Sequence, residues 1–103
     1  MTPEFIEDVQ IDETIKIVTE LPARFKVIML NDNTTPMDFV TQLLKLTFKH
    51  TEQTAKKIML TIHEEGSAVV GIYTYEIAEQ KALEATTVSR DHGFPLVLRL
   101  EQE

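Results

Sequence analysis

The chain has 103 residues, 43% of them apolar and 26% charged, with a formal net charge of −7. That length allows one domain with a modest core. The acidic balance argues against a partner held through a phosphate backbone, no apolar run approaches the ~20 residues of a membrane span, and the absence of cysteine removes disulfides, thiol catalysis and cysteine-ligated metal sites.

The excess charge sits on a leader. Residues 1–22 hold Glu4, Glu7, Asp8, Asp12, Glu13 and Glu20 against Lys16 alone. Ile11, Ile15 and Val18 could share a helical face, whereas Ile15 and Ile17 alternate as in a strand, and neither pattern persists. Acid-rich terminal segments of this kind are commonly mobile, so residues 1–23 are expected to form an extension and 24–103 the folded domain. Leu21-Pro22-Ala23 punctuates the boundary. Met1-Thr2-Pro3-Glu4 lacks the basic region of a signal peptide, and its acidity disfavours a transit peptide. The expected compartment is the cytosol.

From Phe25 the pattern is that of a strand, with Phe25, Val27 and Met29 on one face and Lys26, Ile28 and Leu30 on the other. The polar cluster Asn31-Asp32-Asn33-Thr34-Thr35 follows, then Pro36. Asn and Asp favour turns because their side chains bond nearby backbone, and Pro suits the first turn of a helix. The chemistry allows two readings: an ordinary strand–loop–helix turn, or an acceptor-rich corner beside Met37 and Val40 that suits a ligand with a cationic head and an apolar body. Phe39, Val40, Leu43, Leu44 and Phe48 continue as an amphipathic helix expected to stop near His50. Thr51 is placed to cap a second helix, with Glu52 facing the positive end of its dipole. Ala55, Ile58, Met59 and Ile62 form its stripe, and Gly66 stops it. His63, at the stripe's edge, reads as either a structural residue or a ligand-facing one.

Residues 68–73 are a short apolar run read as a central strand, in which Gly71 could permit a close approach. Thr74 is placed to cap a third helix whose inward residues are expected to be Ile77, Ala78, Ala82, Ala85 and Val88. Gly93 and Pro95 end it. Leu96, Leu98 and Leu100 alternate with Val97 and Arg99 in a last strand. The order β-α-α-β-α-β predicts an α+β fold, a two-layer sandwich of three strands against three helices.

Other constellations fail on their own terms. Asp32 with His63 lacks a nucleophile for a triad. Asn31, Asp32, Asn33 and Asp38 resemble a calcium loop, but Pro36 occupies the position that requires glycine. The three histidines lack zinc spacing. No catalytic residue, metal or cofactor is expected. Lys56-Lys57 reads as a solvated helix face, as do Glu76, Glu79 and Lys81.

Four segments carry a family resemblance. Leu30-Asn31-Asp32-Asn33-Thr34-Thr35-Pro36-Met37-Asp38-Phe39-Val40 resembles the L-N-D-D-x-T-P-M-E-F-V signature of the ClpS adaptors. Ile58-Met59-Leu60-Thr61-Ile62-His63 is similar to that family's M-L-x-V-H helix end. Val70-Gly71-Ile72-Tyr73-Thr74-Tyr75-Glu76-Ile77-Ala78-Glu79 is similar to G-V-Y-T-x-E-V-A-E, and Phe94-Pro95-Leu96 to H-P-L. The four fall in the family's order and spacing, over residues 25–100. The resemblance implies a small antiparallel sheet against helices. It also implies an adaptor that binds proteins with destabilising N-terminal residues (Leu, Phe, Tyr, Trp) and delivers them to a ClpA- or ClpC-type AAA+ unfoldase. By resemblance, Asn31, Asn33 and His63, with Asp32 adjacent, receive the α-amino group. Met29, Leu30, Thr35, Met37, Val40, Met59, Ile62 and Leu96 form the side-chain pocket. Glu76, Glu79 and Lys81 contact the N-terminal domain of the ATPase, and the leader engages it during delivery. A monomer is expected, in a bacterial cytosol or, for a processed chain, an organelle stroma, without nucleic-acid or membrane partners. The rival reading is a small scaffold that docks on the ATPase without binding an N-terminus. The chain departs from the family pattern at Asn33, where Asp is usual, and at Thr34, where an aromatic is common.

Overall fold

A computed structural model describes residues 23–103; the expected mobile leader falls outside these residues. The order is β1 (Arg24–Leu30), α1 (Met37–Leu46), α2 (Glu52–Glu65), β2 (Ser67–Thr74), α3 (Tyr75–Asp91) and β3 (Val97–Gln102). The strands form one antiparallel sheet in the order β2-β1-β3. α3 packs on all three strands, while α1 packs on α2 and α2 on β2. This is the α+β sandwich that the hydrophobic pattern predicts.

β1 is central because its middle is apolar on both faces. Val27 and Met29 are buried in the core with Val40, Leu43, Leu44, Phe48, Ile62, Val70 and Leu96. Ile28, on the opposite face by the alternation of the strand, is flanked by its register partners Val69 and Arg99 and is also buried. Pairing with β2 slips between Val27 and Ile28, which face Gly71 and Val69, so Val70 is the extra residue of a bulge. The carbonyl of Val70 accepts from His50 Nε2 at 2.7 Å, so this buried backbone group is satisfied. At Gly71 the close approach is by a side chain: a Cβ there would run into the Tyr73 ring.

α1 ends at Leu46, short of the expected His50, because the chain leaves the helix at Thr47 and passes through Lys49 with φ of 62°. Phe48 is nevertheless buried, since the turn folds it back into the core. The helix's last carbonyls find partners in Thr47 N, His50 N and, at Thr47 itself, Lys81 Nζ at 2.9 Å. α2 begins at Thr51, whose hydroxyl accepts from Thr54 N at 3.2 Å. It closes at Gly66 with φ of 93°, a left-handed cap that glycine adopts without a Cβ penalty. Thr74 stands at the N-cap of α3 but makes no side-chain cap bond. The buried stripe of α3 also differs from the expected one. Ala78, Ala85 and Ser89 are buried while Ile77 is 47% exposed. Small residues at spacings of seven and four let the helix lie close on the sheet, and the Ser89 hydroxyl is satisfied by donating to Ala85 O at 2.8 Å. Ile77 stands about 100° around the helix from Ala78 and so misses that contact line.

Candidate functional site

The corner between β1 and α1 is built by Asp32. Its Oδ1 accepts from Thr34 N at 2.8 Å and Thr35 N at 2.7 Å, and its Oδ2 from the Thr35 hydroxyl at 2.7 Å. This is the local side-chain turn that Asp forms two or three residues ahead of itself. Burial pushes the Asp32 carboxyl up, but the Thr35 hydroxyl, the Thr35 and Thr34 amides and the charge of Arg90 outweigh it, leaving the group below its ordinary value. Asp32 is therefore charged at neutral pH and committed to the loop.

With Asp32 committed, Asn31 and Asn33 stand exposed on either side of it. Asn31 N donates to Gly66 O at 2.9 Å, which ties the end of β1 to the end of α2. His63 lies three residues before that carbonyl, in the last turn of α2, and its side chain is exposed. Two amides and an imidazole therefore belong to one end of the sandwich, each with oxygen or nitrogen lone pairs to offer.

Beside them is a small pocket of about 10 Å³ lined by Leu30, Asn31, Asp32, Thr35, Val40, Ile62 and Leu96, room for about one water. Its apolar walls come from β1, α1, α2 and the residue before β3. The other expected pocket residues lie elsewhere. Met29 is fully buried in the core. Met37 stands at the first position of α1, 39% exposed. Met59 lines a separate hollow between α1 and α2 with Asp38, Thr41, Gln42, Glu52, Lys56 and Leu60. The corner that carries Leu96 is braced by residues that sequence reasoning did not single out. Phe39 packs edge-on against Phe94 with centroids 4.9 Å apart, and Arg90 Nη1 donates to Phe94 O at 3.0 Å and Leu96 O at 2.8 Å. A cation in the last helical turn, one turn before Phe94-Pro95-Leu96, was the available signal.

On the far side, Glu76 and Glu79 are exposed on the first turns of α3, and the Tyr75 hydroxyl donates to Glu79 at 3.2 Å. Lys81 is different. Its ammonium bonds Thr47 O and stands 5.5 Å over the Tyr73 ring. It lines a larger hollow of about 590 Å³ with Leu46, Lys49, Ile77 and Glu84 among others. Among the described residues no group of three metal-ligating side chains occurs, and no described helix is long and apolar enough to cross a membrane.

Residues 20–99 match the family described as ATP-dependent Clp protease adaptor protein ClpS. The chain is 43% identical over 93 residues to the ClpS adapter of Shewanella halifaxensis, covering 90% of this chain and 91% of that one. It is 47% identical over 88 residues to ClpS 1 of Rhodopseudomonas palustris, covering 85% of each. The structure of Agrobacterium tumefaciens ClpS2 bound to L-phenylalaninamide superposes with a TM-score of 0.78 at 46% identity, covering 81% of this chain and all of that one.

Proposed function

The chain belongs to the ClpS family of Clp protease adaptors, and from that premise we propose that it recognises proteins by a free N-terminal Leu, Phe, Tyr or Trp and delivers them to a ClpA- or ClpC-type AAA+ unfoldase. The observation that carries the reading is the division of labour at the β1–α1 corner. Asp32 shapes the loop, which leaves Asn31 and Asn33 exposed on either side of it, with Asn31 lining the small pocket between Leu30, Val40, Ile62 and Leu96. The amino-acid amide bound by the Agrobacterium relative has the same two-part chemistry, an ammonium beside an aromatic side chain.

An α-ammonium has three donors and calls for acceptors that converge on it. The side-chain carbonyls of Asn31 and Asn33 and a ring nitrogen of neutral His63 supply three. Asp32 contributes its charge from just behind the loop. The first side chain of the substrate enters between Leu30, Thr35, Val40, Ile62 and Leu96, and burying a Leu or Phe there contributes roughly 1.5–3 kcal/mol. A pocket with room for one water admits such a group only when its rim moves. Met37, unbranched, exposed and at the helix start, is the rim residue suited to that; Met29 and Met59 support the floor and flank rather than touch the ligand. The function requires no bond-making and no cofactor.

Delivery divides the chain into an extension over residues 1–23 and a recognition domain over 24–103. Glu76 and Glu79 are free to meet the N-terminal domain of the ATPase, and Lys81 takes part once its bond to Thr47 opens. The working form is a monomer in the cytosol. Titration with a Phe-started peptide and its Nα-acetylated twin tests the proposal. The free peptide binds and the acetylated one does not. Equal binding of both, or of neither, overturns it and leaves standing the rival reading, a scaffold that docks on the ATPase without reading an N-terminus.

A further inference from the structure

Arg90 stands in the last turn of α3, and nothing about the ammonium cluster itself calls for it. Its Nη1 nevertheless donates to two carbonyls of the segment that follows, Phe94 O at 3.0 Å and Leu96 O at 2.8 Å. Leu96 is 1% exposed and forms one wall of the pocket. The next residue, Val97, opens β3 opposite Leu30, another wall. The same corner is tied to α3 by Phe94 N donating to Ser89 O at 2.9 Å, and to α1 by the Phe39–Phe94 contact.

We infer that Arg90 is a positioning residue of the pocket, fixing the Phe94-Pro95-Leu96 corner so that Leu96 stands as a rigid wall against the first side chain of the bound chain. The inference deepens the reading of the site as an N-terminal residue pocket and rests on it. Both bonds come from one terminal nitrogen, whose two N–H groups lie in the fixed guanidinium plane, so their directions are set together, whereas the donors of an ammonium rotate. Two charge-assisted bonds to carbonyls two residues apart in a short connection remove the freedom that a Pro-containing corner would otherwise retain. The guanidinium charge also favours the ionised Asp32 carboxylate, as the smallest of the contributions acting on it.

Rigidity of a wall is read as selectivity. When Leu96 can retreat, a bulky ring still fills the enlarged space, while a smaller Leu leaves part of it empty and loses contacts. The experiment is titration of wild type, Arg90→Ala and Arg90→Lys with Phe-started and Leu-started peptides, with the acetylated Phe peptide as control, alongside methyl NMR of Leu96. Arg90→Ala is expected to bind both free peptides several-fold more weakly, with the Phe-to-Leu preference rising about threefold. Arg90→Lys, which keeps the charge and can reach one carbonyl, recovers part of the preference. The Leu96 methyl signals shift in Arg90→Ala. If Arg90→Ala is too unstable to titrate, Arg90→Lys against wild type carries the same comparison. Peptides that lose affinity equally, with unmoved Leu96 methyls and only a lower Tm, overturn the positioning role. Failure of the underlying reading looks different: wild type itself then treats the free and acetylated peptides alike.

Discussion

The two ends of α1 solve the same problem in opposite ways. At the N-terminal end the chain turns through residues 31–36, held by a side chain two to three residues away: Asp32 binds the amides of Thr34 and Thr35 and the Thr35 hydroxyl. At the C-terminal end it turns through residues 47–50, held from a distance. Lys81 reaches back 34 residues to Thr47 O, and His50 reaches forward 20 residues to Val70 O. The first corner completes its own hydrogen bonds and leaves its flanking amides facing solvent. The second uses Thr47 O and the His50 ring to fasten α1 to α3 and β2. A recognition loop that is locally self-supporting can be rigid without being covered, and that is the condition a binding corner must meet.

Breaking the self-supporting corner has the largest expected effect. Asp32→Ala leaves two amides and a hydroxyl without their acceptor, which costs about 2–3 kcal/mol of stability and abolishes measurable binding of a Phe-started peptide. Calorimetric titration and thermal unfolding together check it. The pH dependence has a definite sign. The folded Asp32 titrates below its ordinary value, so its stabilisation is fully present above the usual aspartate range and is lost as pH falls through the folded value. Wild type should therefore lose more stability than Asp32→Ala on acidification in that window. The opposite corner gives the complementary result. His50→Ala leaves the Val70 carbonyl unpaired at the bulge, at a cost of about 1–3 kcal/mol, yet peptide affinity stays within twofold. A large drop in affinity would show that the two ends of α1 are coupled.

A smaller effect comes from the apolar residues at these ends. Phe48 is 5% exposed and Met37 is 39% exposed, so one fills the core and the other stands open at the start of α1. On the proposed reading Met37 crowds the entrance, and in Met37→Ala N-terminal Ile and Val peptides should then bind roughly tenfold better than they do to wild type, about 1.4 kcal/mol, with little change for Phe. Competition binding with these peptides decides it. An unchanged order would make Met37 a structural residue like Phe48.

The contrast also explains what could be read in the sequence. The β1–α1 corner was legible because its stabilising pairs are neighbours in the chain, so Asn31-Asp32-Asn33-Thr34-Thr35-Pro36 announces both the turn and the helix start. Hydrophobic period gave the six elements and their order for the same reason. The end of α1 was misplaced because Lys49 adopts a positive φ that no local signal requires, and the partners that fix the turn, Lys81 and Val70, lie far along the chain. Ile77 was misassigned because apolarity was taken for burial, whereas a helix lying close on a sheet selects small residues such as Ala78, Ala85 and Ser89. Within the candidate site, the amides and imidazole belong to the family motif, but the bonds Asp32 accepts within the loop and the hold of Arg90 on the Phe94 and Leu96 carbonyls depend on directions that only the fold supplies.

The smallest effect is expected where the recognition corner departs from its family's usual sequence. Asn33 stands where Asp is usual, exposed and one residue beyond the committed Asp32. An amide offers the ammonium one carbonyl oxygen and must turn its NH2 group away; a carboxylate would offer either oxygen and a full charge. Two opposite unit charges ~4 Å apart attract by about 1 kcal/mol in water and about 4 kcal/mol at an effective dielectric of ~20. Exposure puts Asn33 near the lower figure, and the desolvation of both ions takes back part of that. Nearby Asp32 adds a second consideration. A carboxylate at position 33 would repel it in the empty site, and that repulsion is relieved when the ammonium arrives, which increases the gain on binding. Asn33→Asp is therefore expected to tighten a Phe-started peptide by about 1 kcal/mol and to steepen the salt dependence, because the added attraction is screened over ~10 Å at 0.1 M salt. Titration of wild type and Asn33→Asp at two salt concentrations reads both quantities. Tighter binding with a steeper slope means that the corner works chiefly by charge; weaker binding means that its geometry is tuned to the amide, with Asn33 matched to Asn31 across Asp32.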